Sequence, residues 1–255
     1  MARSKIKDML TFCLGILLIG VVLQAAGTLK GDTLVFPGVD EILRAFFRLL
    51  ATGKTYALIW TTLKHLLVIM AVSTVIGVLI GLAMGMLPFV RKLLTPLMIL
   101  LRSMPMVILI VIIMVITKYE RVPVLASSII LIPMIAEAAC EGCLRIDKEL
   151  IDVYRMNANF NGRVLFHVYL PLMAGYLKQA YVNAVGMGVK LAVSTEYMVQ
   201  TRDSLGKAVY SSSYFYEYQD IYAYALIMIL LVLLVSEGPV LIGKWISRMR
   251  KHPAA

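Results

Sequence analysis

The chain alternates long apolar stretches with short polar ones. A membrane-crossing helix needs about 20 mainly apolar residues, and six stretches suit that role: 9–29, 56–87, 93–117, 122–143, 169–198 and 221–243. The first follows Arg3, Lys5 and Lys7, a flank that secretory leaders share, and Gln24 to Gly27 offers a small-residue cleavage point. Its apolar run is longer than a leader's core, so an uncleaved span is expected. Residues 30–55 are more polar, and within them 41–50 place Ile42, Leu43, Phe46, Phe47 and Leu50 near helical spacing, which predicts an amphipathic helix along the membrane surface. In the second span Ser73, Gly77, Gly81 and Gly85 recur every four residues on one helix face. Side chains that small let a neighbouring helix approach closely. Pro96, Arg102 and Pro105 interrupt the third span, and both prolines remove backbone donors and predict a bent helix. A tight polar turn at 118–121 leads into the fourth span, and 199–220 reads as a polar loop.

Composition agrees with the pattern. Of 255 residues 60% are hydrophobic and 16% charged, and the mean hydropathy is +0.85. A soluble domain carries about a quarter charged residues, which argues against a water-soluble enzyme. The formal charge of +10 would mark a nucleic-acid binder if it formed patches on a soluble surface. Here the bases lie between apolar stretches, where they set topology and call for no nucleic acid. With six spans both termini share a side. The N-terminal segment, Arg91 and Lys92, 144–167 and the tail hold thirteen Lys and Arg, against eight in the opposite loops. The positive-inside bias therefore puts the termini and 144–167 in the cytoplasm. Cys13, Cys140 and Cys143 lie in apolar sequence; their odd number and lack of a spaced framework argue against structural disulfides, and no metal site is expected.

A hairpin between spans needs only a few residues, yet 144–167 is long and patterned as helix. Asp147 can cap, Glu149 suits the positive helix end, and Leu150, Val153, Tyr154 and Asn157 line one side before a turn at 159–162. A short helix outside the bilayer with such a face suits docking into a partner's groove. Lying flat on lipid is the other reading, and Asp147, Glu149 and Asp152 disfavour it because anionic lipid repels acids.

These features resemble the membrane-spanning permease subunits of bacterial binding-protein-dependent ABC importers of the nitrate, sulfonate and taurine type. That family carries a cytoplasmic signature: Glu-Ala-Ala, a Gly six places after the Glu, and a closing apolar residue, any residue, Leu and Pro. Counting back from Leu170 and Pro171, Val168 fills the apolar place, Ala158 the Gly place, and Asp152, Val153 and Tyr154 the opening triplet. Glu137, Ala138 and Ala139 spell the triplet literally, but they fall inside an apolar span, which cannot dock on a cytoplasmic partner. Phe36, Pro37, Gly38 and Glu41 resemble the family's loop before its surface helix. The stretch 61–85 resembles its glycine-rich span, 102–105 its arginine-to-proline entry, and Glu196 with Ser204, Leu205 and Gly206 its glutamate and Gly-Leu-Gly stretch.

The resemblance implies an all-α, six-span permease of type I ABC importer fold, with 1–255 forming one transmembrane domain of the bacterial inner membrane. It implies a homodimer that takes solute from an extracytoplasmic binding protein and is driven by cytoplasmic ATPase subunits. Asp152, Val153, Tyr154, Arg155, Met156, Asn157, Ala158 and Asn159 would form the coupling helix that seats on the ATPase. The chain has no Gly-x-x-x-x-Gly-Lys-Ser/Thr phosphate loop. ATP and Mg then belong to the partner, and this chain is expected to be non-catalytic and without cofactor.

Charges inside spans narrow the path. An ionised side chain at the bilayer centre costs about 2.5 to 3.5 kcal/mol on insertion scales. Lys190 follows Asn183, Gly186 and Gly188 on a helix expected to line the path, and it would attract an anionic group or pair with an internal carboxylate. Asn183, Glu196 and Glu137 join it as path candidates. Arg102 and Glu141 read as snorkelling near helix ends. Tyr210, Tyr214, Tyr216, Tyr218, Tyr222 and Tyr224 read as an interfacial belt, with contact to the binding protein or an aromatic solute as the other reading. His65, His167 and His252 read as isolated. A stand-alone secondary transporter would show internal repeats with paired broken helices, and a membrane enzyme a catalytic cluster on one face; neither pattern is found. A stand-alone secondary transporter or a structural membrane subunit is the alternative, and purification alone or with an ATP-binding partner separates these readings.

Overall fold

A computed structural model describes Val35, residues 37–146, Glu149 and residues 169–250, with side chains to Ser236 in the final helix. The expected first span and the coupling residues 152–159 lie outside the described residues. Helix α1 (Val39–Ala51) is favoured by Asp40 and Glu41 in its first turn and Arg48 in its last, charges that complement the helix dipole. It turns Ile42 and Ala45 inward and packs on the last helix. Arg48 pairs with Asp220 there, and Gln219 reaches Glu41. Next come α2 (Gly53–Met86), α3 (Pro88–Ser103), α4 (Met106–Ile116), a 3₁₀ turn at Tyr119–Arg121 and α5 (Val122–Leu144). Past residue 168 the chain continues as α6 (Leu170–Val199), α7 (Leu205–Tyr214) and α8 (Tyr218–Arg250).

Helix α5 is the hub, flanked by α2, α6, α4 and α3. Ile69 of α2, Ile110 of α4, Leu131 and Ile135 of α5 and Ala184 and Ala192 of α6 meet in one core cluster. The seam between α2 and α5 is close because the small residues of α2 face it. Ser73 Oγ donates to the Ser128 carbonyl oxygen, Gly77 lies against Ile135, Gly81 against Ala136 and Ala139, and Gly85 against Cys140 and Cys143. Both α5 cysteines are buried free thiols. Outside the bundle Leu67, Val75, Leu79, Val115, Ile116 and Leu234 stand exposed, a surface that lipid covers in a membrane protein.

Two expectations are corrected. The stretch 93–117 is not one bent helix: α3 and α4 meet at 100°, which makes a broken span or a re-entrant loop. Pro96 sits within α3, and the break falls at Met104 and Pro105, where Met104 is extended as a residue before proline prefers. The stretch 199–220 is not a plain loop either, since it holds α7. Ser204 starts that helix by accepting a hydrogen bond from the Lys207 amide at 3.2 Å, the N-cap pairing that satisfies an otherwise orphaned donor. Among the described residues three helical stretches, Gly53–Met86, Tyr119–Leu144 and Tyr218–Ser236, are long and apolar enough to cross a membrane, and there are four if the bent pair is one span. Helix α6 has 30 residues and so the length, but Lys178, Lys190 and Glu196 make it less apolar.

Candidate functional site

Two features at one end of the bundle concentrate the polar chemistry, and both depend on α6. The first is buried. Glu196 is fully enclosed, with 0% of its surface exposed. Its Oε2 accepts from Thr62 Oγ1 at 2.8 Å and from the Gly206 amide at 3.2 Å, and its Oε1 lies 2.7 Å from His65 Nδ1. Thr62 Oγ1 in turn accepts from the Leu205 amide at 3.0 Å. A threonine hydroxyl has one proton to give and lone pairs to receive, so Thr62 relays between the carboxylate and the α7 backbone. One side chain of α6 thereby fastens α2 and the start of α7. An isolated buried carboxylate would be strongly disfavoured, and three partners offset that penalty here.

The close approach has a backbone requirement. A Cβ on Gly206 would come within 2.5 Å of Glu196 Cβ, the Tyr197 amide nitrogen and the Val193 carbonyl oxygen. Only glycine lets the start of α7 lie flat on α6. The connection between them is short because Gln200 ends α6 in the left-handed region, φ 56° and ψ 44°, and Asp203 takes a second positive φ. Tyr197 of α6 then packs edge-on against Tyr210 of α7, which stacks on Tyr214.

The second feature is open. Asn183, Lys190 and Ser194 are exposed along one face of α6. Lys190 borders a groove of about 620 Å³ between α6, α7 and α8, whose other walls are mostly Val, Met, Ile and Leu. Ser194 and Tyr197 supply its remaining polar side chains. Lys190 has no carboxylate partner among the described residues, so the pairing alternative is not realised there.

Of the four path candidates the fold brings Asn183 and Lys190 together on that open face. Glu196 points away from it into the buried clamp, and Glu137 stands on α5, where it pairs with Arg102 of α3. Arg102 therefore does not simply snorkel: it joins the broken span to the hub. His65 is not isolated either. Thr62 and His65, three residues apart on α2, share a face, and that spacing is the signal by which sequence could have found them. Among the described residues no group of three or more His, Cys, Asp and Glu side chains could hold a metal ion.

Comparison with known proteins bears on the whole bundle. The sequence profile of the family described as "Binding-protein-dependent transport system inner membrane component" matches residues 73–251. No curated protein matches the chain. Among solved structures, a chain of the MetNI methionine ABC transporter in inward-facing conformations superposes with a TM-score of 0.60 at 20% identity. The match covers 73% of this chain and 94% of that one, and shows a shared fold.

Proposed function

Because the chain belongs to the family of inner membrane components of binding-protein-dependent transport systems, we propose that it is the permease subunit of an ABC importer that carries a small anion of the nitrate, sulfonate or taurine kind. A vitamin precursor with an acidic group is of the same chemistry. The observation that carries the anionic reading is Lys190, a cation without a carboxylate partner among the described residues, in a groove that is otherwise nearly all apolar. A charge in such a setting is strongly disfavoured unless water or a counter-ion reaches it. A permeating anion meets that need, and Asn183 and Ser194 on the same face offer it hydrogen bonds.

The solute would arrive from an extracytoplasmic binding protein and pass between two copies of this chain in the bacterial inner membrane. The energy would come from ATPase subunits that hold ATP and Mg and grip residues 152–159. In proteoliposomes holding permease, ATPase and binding protein, Lys190→Met is expected to slow ethanesulfonate uptake about tenfold, one charge-assisted contact, with ATPase binding unchanged. Uptake at the original rate removes Lys190 from the path.

The coupling helix has its own test. Tyr154→Glu puts a charge on the expected docking face, and Ala158→Trp overfills the place where the family has glycine. Each is expected to lower the ATPase recovered with the tagged permease severalfold, while monodisperse elution of the permease persists. Full recovery with normal transport would move the coupling site elsewhere.

A further inference from the structure

A separate cavity of about 450 Å³ lies where the α1–α2 turn, the α6–α7 connection, α7 and the start of α8 converge. Its walls are polar, unlike those of the Lys190 groove. Lys54, Arg202 and Lys207 border it, with Asp203, Glu217 and Asp220 as the acids. Asp220 is already engaged by Arg48. Three cations thus face two uncommitted carboxylates, and the balance in the cavity is positive.

The hydroxyls are the second observation. Thr55 and Ser212 both line the cavity while only 2% and 4% exposed. Neither side chain has a hydrogen-bond partner among the described residues. Thr61 and Thr52, on the same stretch of chain, each satisfy their hydroxyl on a carbonyl one turn back. Thr55 leaves that option unused and turns its hydroxyl to the cavity. Neither hydroxyl is sealed off from the cavity, and both can donate to a guest between the basic side chains. Its volume lies in the range of small-molecule sites.

We propose that this cavity is an anion-binding site, taking a small organic molecule through an oxyanion group: sulfonate, carboxylate or phosphate. Arg202 and Lys207 supply the charge, and Thr55 and Ser212 donate to the oxyanion. Thr62 lies two helical turns from Thr55 on the same helix, and Lys207 follows Gly206, which the Glu196 clamp holds. An anion seated here would tie the first turn of α7 to the first turn of α2, beside the clamp that already joins them. The site is distinct from the Lys190 groove, with which it shares no lining residue, so it does not depend on the import reading.

The test is calorimetric titration of the full-length permease in phosphatidylcholine nanodiscs at low ionic strength, with ethanesulfonate as the probe. Saturable binding is expected, with Arg202→Gln/Lys207→Gln weakening it at least tenfold and Thr55→Val, nearly isosteric, weakening it severalfold at an unchanged ligand-free Tm. Any heat from the Lys190 groove is lost in Lys190→Met, and the Arg202- and Lys207-dependent heat should persist in that variant. Nanodiscs with phosphatidylglycerol separate the sources: competition with ethanesulfonate identifies a lipid phosphate as the natural occupant, and its absence a soluble anion. No saturable heat, equal binding by ethylammonium, or unchanged affinity in the double variant overturns the proposal.

Discussion

Glu196→Ala is expected to remove about 3–5 kcal/mol of stability, the large end of single-substitution effects, reached when a buried hydrogen-bond network is broken. The loss has three parts. The Gly206 amide would keep its place but lose its acceptor, and leaving a buried donor unmatched costs about 1–3 kcal/mol. Thr62 would lose the acceptor that orients its proton, and with it the geometry that receives the Leu205 amide. The space left by the side chain adds a cavity term. For a chain of this size such a loss lowers the apparent Tm by roughly 10 °C or more. Glu196→Gln keeps a carbonyl oxygen for Thr62 and Gly206 and an amide that can face His65, so it is expected to fall by only a few degrees. Thermal unfolding followed by tryptophan and tyrosine fluorescence in detergent checks both. Equal Tm values for Ala and Gln would show that Glu196 acts through its bulk and not its hydrogen bonds. Release of α7 should accompany the loss, seen as faster amide exchange in 205–214 than in α5.

The same cluster shows what was legible in the sequence and what was not. The helices could be read because apolar runs and their polar breaks fix them locally: 56–87 and 122–143 differ from α2 and α5 by a few residues at the ends. The break at Pro105 was visible as a bend, but not its size, since a proline removes one hydrogen bond and the angle that follows is set by what the two halves pack against. Helix α7 was missed because its ten residues carry no strong apolar period; it is held by Ser204 and by Glu196, ten places before Gly206. Glu196 stood out as a charge in a span, yet its role depends on α2, more than 130 residues earlier in the chain. Partners that far apart leave no trace in local spacing, so His65 looked isolated and Arg102 looked like a snorkelling end. The small-residue face of α2 is the opposite case, because helical periodicity alone puts its members together, whatever helix they meet.

That face yields the second large expectation. Gly81→Leu should keep the permease from accumulating as a folded protein, and Gly81→Ala should already lower its apparent Tm by roughly 5–10 °C, the shift that overpacking by one to three kcal/mol gives in a chain of this length. A Cβ on Gly81 would meet Ala139 Cβ at 2.5 Å and the Ala136 carbonyl oxygen more closely still. The first neighbour could be trimmed, but the second is backbone. The helix axes must therefore separate, and the Ser73 to Ser128 hydrogen bond and the Gly77 and Gly85 contacts lie along the same seam, so all of them open together. Gly175→Ala on α6 is the control: a Cβ there meets nothing within 4 Å, and the higher helix propensity of alanine should leave Tm unchanged or slightly raised. The double variant Gly81→Ala/Ala139→Gly distinguishes the two neighbours. It removes the Cβ contact and leaves the carbonyl one, so only partial recovery of Tm is expected, whereas full recovery would mean that side-chain bulk alone sets the spacing of α2 and α5.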